Sequence, residues 1–300
     1  MSHSAQAFVK LVVLLCVVVG ALTITAKDAE AVFLVAGADG VLRVKTNDLS
    51  STVVSDNFGS VYAVAGLTNG NWGVASPDTN TSLRIKSPDL GSTVESDTNT
   101  GLGTITAFSG MANGNIVLSS GTALRVKSPD LASTLFSDMS FGAVTALAGL
   151  VNGNIVVGTS TGLFVKSPDL SMTLFSDGGI NVVALAALAN GNFVVASTDG
   201  GGTLRVKLPD LSGTVASDAF GAVTALAGLD NGNFAVSSGT ALRVKLPDLS
   251  DTVAFDLTYG AITAMAGNPF PIPEPTSLTL LAVAGLVGVG RTFRRRRDRV

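Results

Sequence analysis

The residues able to do chemistry in this sequence are few, repeated and mostly acidic. A Lys and an Asp stand three apart six times, as Lys45/Asp48, Lys86/Asp89, Lys127/Asp130, Lys166/Asp169, Lys207/Asp210 and Lys245/Asp248. Across a turn, such a pair is ordinarily a surface contact worth under ~1 kcal/mol, with the Asp capping the turn. Repeated six times, it could also form a ring of charges contacting a polymer. Ser-Asp steps such as Ser137-Asp138 and Ser217-Asp218 recur as well, and their side chains suit turn capping. Paired carboxylates can hydrolyse glycosides when one serves as acid and the other as nucleophile or base. A catalytic pair breaks symmetry, however, and no repeat carries an obvious added pair.

What is missing narrows the chemistry further. The single His and single Cys are His3 and Cys16, both ahead of residue 32. The rest of the chain has no thiolate, no disulfide, no histidine metal ligand and no Ser-His-Asp triad. No D-x-D-x-D-G spacing marks a calcium loop. The expectation is therefore a protein that is not an enzyme, with no catalytic residue, no metal and no cofactor. Trp72 is the one tryptophan and the candidate for stacking on a ligand. It stands where other repeats have Ile116, Ile155, Phe193 and Phe234, a position whose pattern is core. Longer stretches at 77–82 and 97–103 are the natural places for a ligand site.

The elements that position these residues come from an internal repeat. The octet Leu42-Arg43-Val44-Lys45-Thr46-Asn47-Asp48-Leu49 returns from Leu83, Leu124, Leu163, Leu204 and Leu242. Each unit of about 40 residues holds four strand-like stretches separated by turn signals. In one, Val144-Thr145-Ala146-Leu147-Ala148 leads through Asn152-Gly153-Asn154 to Ile155-Val156-Val157, then Leu163-Phe164-Val165-Lys166, then Thr173-Leu174-Phe175-Ser176-Asp177. The NGN turns suggest two corners with φ > 0. The Pro of Ser-Pro-Asp presets the first corner of another turn. Alternation within LRVK points Leu and Val at the neighbouring unit and Arg and Lys outward. Four short strands per repeat, six times over, resemble a six-bladed β-propeller. A parallel β-helix uses shorter coils.

The array opens on a second strand, residues 32–36, and ends on a first strand, 261–266. The piece missing at one end is the surplus piece at the other. The expected fold is all-β: a six-bladed β-propeller over 32–268, closed by strands from both termini, with an N-terminal signal segment and a single C-terminal membrane helix.

The two ends read as addresses. Residues 1–31 carry Lys10, an apolar run from Leu11 to Ile24, and the small-residue site Ala29-Glu30-Ala31. That order describes a secretory signal peptide cut after Ala31, with Ala26 as another site and an uncleaved anchor as the rival reading. Residues 269–275 form a Pro-rich linker ending in Pro273, Glu274 and Pro275. Residues 276–300 follow with an apolar run to Gly290 and a basic end that includes Arg294, Arg295, Arg296 and Arg297. As a helix the apolar run reaches only ~22 Å, short of a ~30 Å hydrocarbon core, and its arginines belong on the cytoplasmic side.

Tripeptide, apolar run and Arg cluster in this order resemble the PEP-CTERM sorting signal of Gram-negative bacteria. The resemblance covers only the last 30 or so residues. It implies an exosortase-type sorting enzyme as partner, membrane contact in transit, and a destination at the cell surface or outside the cell. Proteins sorted in this way are commonly linked to exopolysaccharide and biofilm. The resemblance implies an address and no activity for the body.

Charge argues against nucleic acid. Residues 32–275 carry 11 Lys and Arg against 19 Asp and Glu, a net −8, while the last ten residues hold six Arg. Phosphate recognition needs a basic face, which the body lacks. The function expected is a non-catalytic propeller acting as a binding or scaffold module in exopolysaccharide or biofilm matrix. Its rivals are a polysaccharide-acting enzyme using Asp carboxylates around a central channel, and a purely structural matrix protein.

Overall fold

Valine, threonine, small residues and closely spaced turn signals favour short strands over helices, and the chain folds accordingly. A computed structural model describes residues 32–77, 82–97, 103–120, 123–257 and 259–269. Within them lie 24 strands, β1 to β24, in six antiparallel four-stranded sheets. Blade 4 shows the pattern: β12 (Val144–Gly149), β13 (Ile155–Thr159), β14 (Gly162–Lys166) and β15 (Thr173–Gly178), in that order from the axis outward. Blades 2, 3, 5 and 6 repeat it over 63–97, 105–138, 182–219 and 225–256. Blade 1 is built from both ends of the described chain. Its innermost strand is β24 (Ile262–Ala266), paired antiparallel with β1 (Val32–Gly37), followed by β2 (Val41–Thr46) and β3 (Thr52–Asn57).

The expected fold class needs two corrections. The six sheets are not closed: each is a separate open sheet, and no hydrogen-bonded ladder runs from one blade to the next. Strand sharing completes one blade and leaves every outer strand with a free edge, so the ring is held by side-chain packing. Further, no helix among the described residues is long and apolar enough to cross a membrane. The segments read as signal, PEP motif and tail, at 1–31 and 270–300, lie outside the described residues.

The core is correspondingly divided into six clusters, one per seam between adjacent blades. Both faces of each inner strand are covered, so second strands such as β13 are buried at every position. At the hub the inner strands approach so closely that only glycine fits at the end of most of them. A Cβ at Gly66, Gly110, Gly149, Gly228 or Gly267 would collide with the corresponding backbone carbonyl of the adjacent blade.

Turn chemistry sets the strand ends. In the NGN turns only the glycine is left-handed, as at Gly153 (φ 88°). The expectation of two positive-φ corners is corrected, because Gly153 N donates to Leu150 O and Leu150 N to Asn154 O, closing a five-residue loop. In the turns between third and fourth strands the left-handed residue is the leucine itself. Leu49, Leu90, Leu131, Leu170, Leu211 and Leu249 have φ between 57° and 64°. A left-handed L-residue costs roughly 1–2 kcal/mol. Each of these leucines joins or packs against the cluster its blade shares with the preceding one. Burying a leucine stabilises by ~1.5–3 kcal/mol, which offsets the strain.

Candidate functional site

The charged side chains of the LRVK strands come together with the Ser-Asp steps at the blade seams. The six lysines are buried, with 4–8 % of their surface exposed. They do not pair with the Asp three residues on. Lys86 meets Asp56 at 3.0 Å, Lys127 meets Asp97 at 2.7 Å, Lys166 meets Asp138 at 2.9 Å, Lys207 meets Asp177 at 2.7 Å and Lys245 meets Asp218 at 3.1 Å. Each pair bridges a blade to the one before it. Two expectations are thereby corrected: Arg and Lys face a neighbouring blade as Leu and Val do, and the Lys/Asp pairs are not within-turn surface contacts. The reason is that a propeller blade has no free face, so a lysine in its third strand is desolvated and needs a fixed counter-charge.

The Asp of each turn between third and fourth strands does a different job. Asp169 accepts from Ser167 Oγ, Ser171 Oγ and Ser171 N, which holds its pKa down at about 2. Asp48 is held at about 2 by Thr46 Oγ1 and by the N–H and hydroxyl of Ser50. Asp89, Asp130, Asp210 and Asp248 are lowered by the same kind of hydrogen bond. At Asp138 burial is the largest influence and pushes the pKa up. Hydrogen bonds from Ser140 and Lys166 outweigh it, and the carboxyl sits below its ordinary value.

Aromatic rings complete the seams. Phe58, Phe220 and Tyr259 follow the fourth strands of blades 1, 5 and 6 and lie beneath the Arg and Lys of the next blade. Arg84 stands 5.1 Å from the Phe58 centroid, Arg243 5.2 Å from Phe220 and Arg43 5.5 Å from Tyr259. Between blades 3 and 4, Phe164 replaces the arginine and packs edge-on against Phe141 at 5.4 Å. Burial pushes the Tyr259 phenol up to about 12, so it stays neutral. At the seam between blades 6 and 1, Lys45 lies over Tyr259. There Asn47, which replaces the usual proline, donates to Asp230 Oδ1 at 2.8 Å.

The central channel is lined by the inner strands of all six blades, through residues such as Phe108, Leu147, Leu185, Leu226 and Met265, with Pro269 at one mouth. Its volume is about 60 Å³ and its described lining contains no carboxylate. The enzyme reading needs a carboxylate pair around the channel, and the described residues place none in its lining. Trp72 is 3 % exposed, and its Nε1 donates to Pro88 O at 3.2 Å. An indole enclosed by the core between blades 1 and 2 offers no face to a ligand. No group of three or more His, Cys, Asp or Glu could hold a metal ion among the described residues. An open groove between blades 3 and 4 is bordered by Asp138, Ser140, Lys166, Asp169, Ser171 and Thr173.

Sequence reasoning found the repeated Lys and the repeated Ser-Asp but not their partnership. The signal was present: one cation and one extra anion per repeat, some 27–30 residues apart. Such a pair recurs in every unit only if it joins units. The left-handed leucines carried no sequence signal beyond their recurrence after Pro-Asp or, at Leu49, after Asn-Asp.

No protein family and no curated protein matches the sequence. Solved structures do match. One is a protein of unknown function from Bacteroides caccae, at TM-score 0.58 and 14 % identity, covering 82 % of this chain and 100 % of that one. Another is the WD40 β-propeller domain of Doa1, at TM-score 0.55 and 14 % identity, covering 78 % of this chain and 82 % of that one. The chain is a six-bladed β-propeller. At such low identity the propeller likeness extends to fold alone.

Proposed function

We propose that this propeller is a non-catalytic binding or scaffold module of an exported protein, sorted through its C-terminal tail to the cell surface or the extracellular matrix. The observation that carries the reading is where the charges go. The Lys/Asp pairs are consumed in holding blade to blade, and the PDL carboxylates hold their own turns. What is left for a partner is the loops and outer strands. The order Pro273-Glu274-Pro275, apolar run and Arg-rich end supports an exosortase-type enzyme as the sorting partner, and extracellular polysaccharide fits the destination.

The test is a glycan-array and exopolysaccharide pull-down with the purified body, residues 32–269, with and without calcium. Saturable binding to one glycan class supports the module reading. Absence of binding under both conditions sinks the polysaccharide part of it.

A second reading, a structural matrix protein, is favoured by one specific observation. The outer strands expose large apolar side chains, among them Phe136 and Phe175 at 42 % and Phe255 at 66 %. None carries a proline or lysine of the kind that blunts an open edge. Assembly that grows with concentration and is reversed by Phe136→Lys with Phe175→Lys supports this reading.

A further inference from the structure

The two faces of the ring are built differently, and the chain leaves by one of them. One face carries the turns between first and second strands and those between third and fourth. The other carries the hairpins between second and third strands and the links from blade to blade. On the first face, every turn between first and second strands has five residues. On the second, hairpins range from two to five residues and links from three to seven. The first face is therefore even and formed of short, hydrogen-bonded turns, and the second is irregular.

Strand β24 runs toward the even face, as inner strands do, and β1 starts there, since Val32 pairs with Thr46 at the mouth of a PDL turn. After β24 the chain stays close to the axis. Asn268 Nδ2 donates to Leu67 O of blade 2 at 3.2 Å, and Pro269 borders the channel. The sequence then runs only four residues to Pro273. Four residues span at most ~14 Å even when fully extended. A folded chain of this size has a radius of gyration of ~18 Å, so the face spreads further sideways from the exit than the chain can reach outward.

We infer that the even face is the surface against which the enzyme that processes the tail docks, and that the irregular face is the one presented away from it. The inference rests on the tail-sorting reading above. A globular partner reading residues 273–275 meets the NGN and PDL turns of several blades, because the chain gives it no room to stand off. The side chains there suit an uncharged or basic partner surface. The NGN tips are polar and carry no cation, the PDL carboxylates are exposed and ionised, and the nearby lysines are buried. Variation in loop length, the usual means by which a rigid scaffold gains a binding surface, is greatest on the face turned away, since the turns of the even face have five or six residues throughout.

The body contains no cysteine, so single cysteines can report the orientation. In full-length chain with Cys16→Ser, Val151→Cys marks the even face and Ser160→Cys the irregular one, both exposed and both in blade 4. Envelope preparations are reacted with a membrane-impermeant maleimide, alongside the same variants lacking residues 270–300. The expected result is that Val151→Cys reacts several-fold more slowly than Ser160→Cys in the retained chain, and equally in the truncated one. Inserting a flexible ~20-residue Gly/Ser spacer, with a mean reach of ~25 Å, between Pro269 and Phe270 should abolish the difference. Equal rates in retained, spacer-free chain overturn the docking face while leaving tail sorting intact. Failure of the full-length chain to be retained any better than the truncated one overturns the sorting reading and the docking face with it.

Discussion

At Asp138, the removal of one carboxylate leaves Lys166 charged, buried and facing a vacancy. Asp138→Ala is expected to destabilise the fold by about 3 kcal/mol, the lower end for breaking a buried pair. Adding Lys166→Met should restore much of that loss, since an apolar isostere removes the stranded charge. Urea unfolding of the two single variants and the double variant measures the coupling, and additive losses would show that the pair contributes little. The turn carboxylates set the acid limit. Asp48 and Asp169 have their pKa lowered from 3.8 to about 2. The unfolded chain therefore binds more protons than the folded one between these values. Their contribution is present above about 3.8 and is lost as pH falls toward 2. The urea midpoint is expected to be flat, as far as these groups go, from neutral pH down to about 4 and then to fall. Asp169→Asn should make the fall shallower.

Among the elements, the PDL turn sets backbone strain against burial. Leu170 has φ 60° and is 3 % exposed. Glycine would relieve a left-handed strain of about 1 kcal/mol, yet would empty a leucine-sized site worth ~2–3 kcal/mol in the core between blades 3 and 4. Leu170→Gly should therefore destabilise by about 1–2 kcal/mol in thermal or urea unfolding. A gain in stability would mean that the turn matters only as a turn. The inner strands show the opposite demand. Gly149→Ala places a methyl group against the Gly110 carbonyl, so blades 3 and 4 must separate. A loss of more than 2 kcal/mol is expected in the same assay, large for a surface-sized change and of the overpacking kind.

For the whole molecule, the fact that no sheet spans the ring makes closure a matter of one blade. β24 is held to β1 by a short ladder, by Ala38 N donating to Ala261 O at 2.8 Å, and by Thr263 Oγ1 donating to Ala36 O at 3.1 Å. Deleting residues 261–300 removes the innermost strand of blade 1 and exposes the seam cores on both sides of it. The truncated chain is expected to lose the single cooperative transition that the chain ending at 269 shows in calorimetry. Retention of that transition would mean the remaining blades close without β24.

The number of blades and the strands within each were legible in the sequence, because a unit of about 40 residues with four apolar stretches cannot bury its faces except against copies of itself. The lack of His and Cys in the body was equally plain. The destination of each charge was not legible. LRVK alternates as a half-exposed strand would, and only the stacking of blades on both sides turns its polar face into a second buried one. That stacking sends Lys86 to Asp56, 30 residues back, in place of Asp89 three residues on. Trp72 likewise reads as core or as ligand platform until the fold encloses it. Sequence order determined the repeating unit, since periodicity is a local property of the chain. Tertiary structure decided how the units face one another, because desolvation at a seam depends on a neighbour that no single repeat contains.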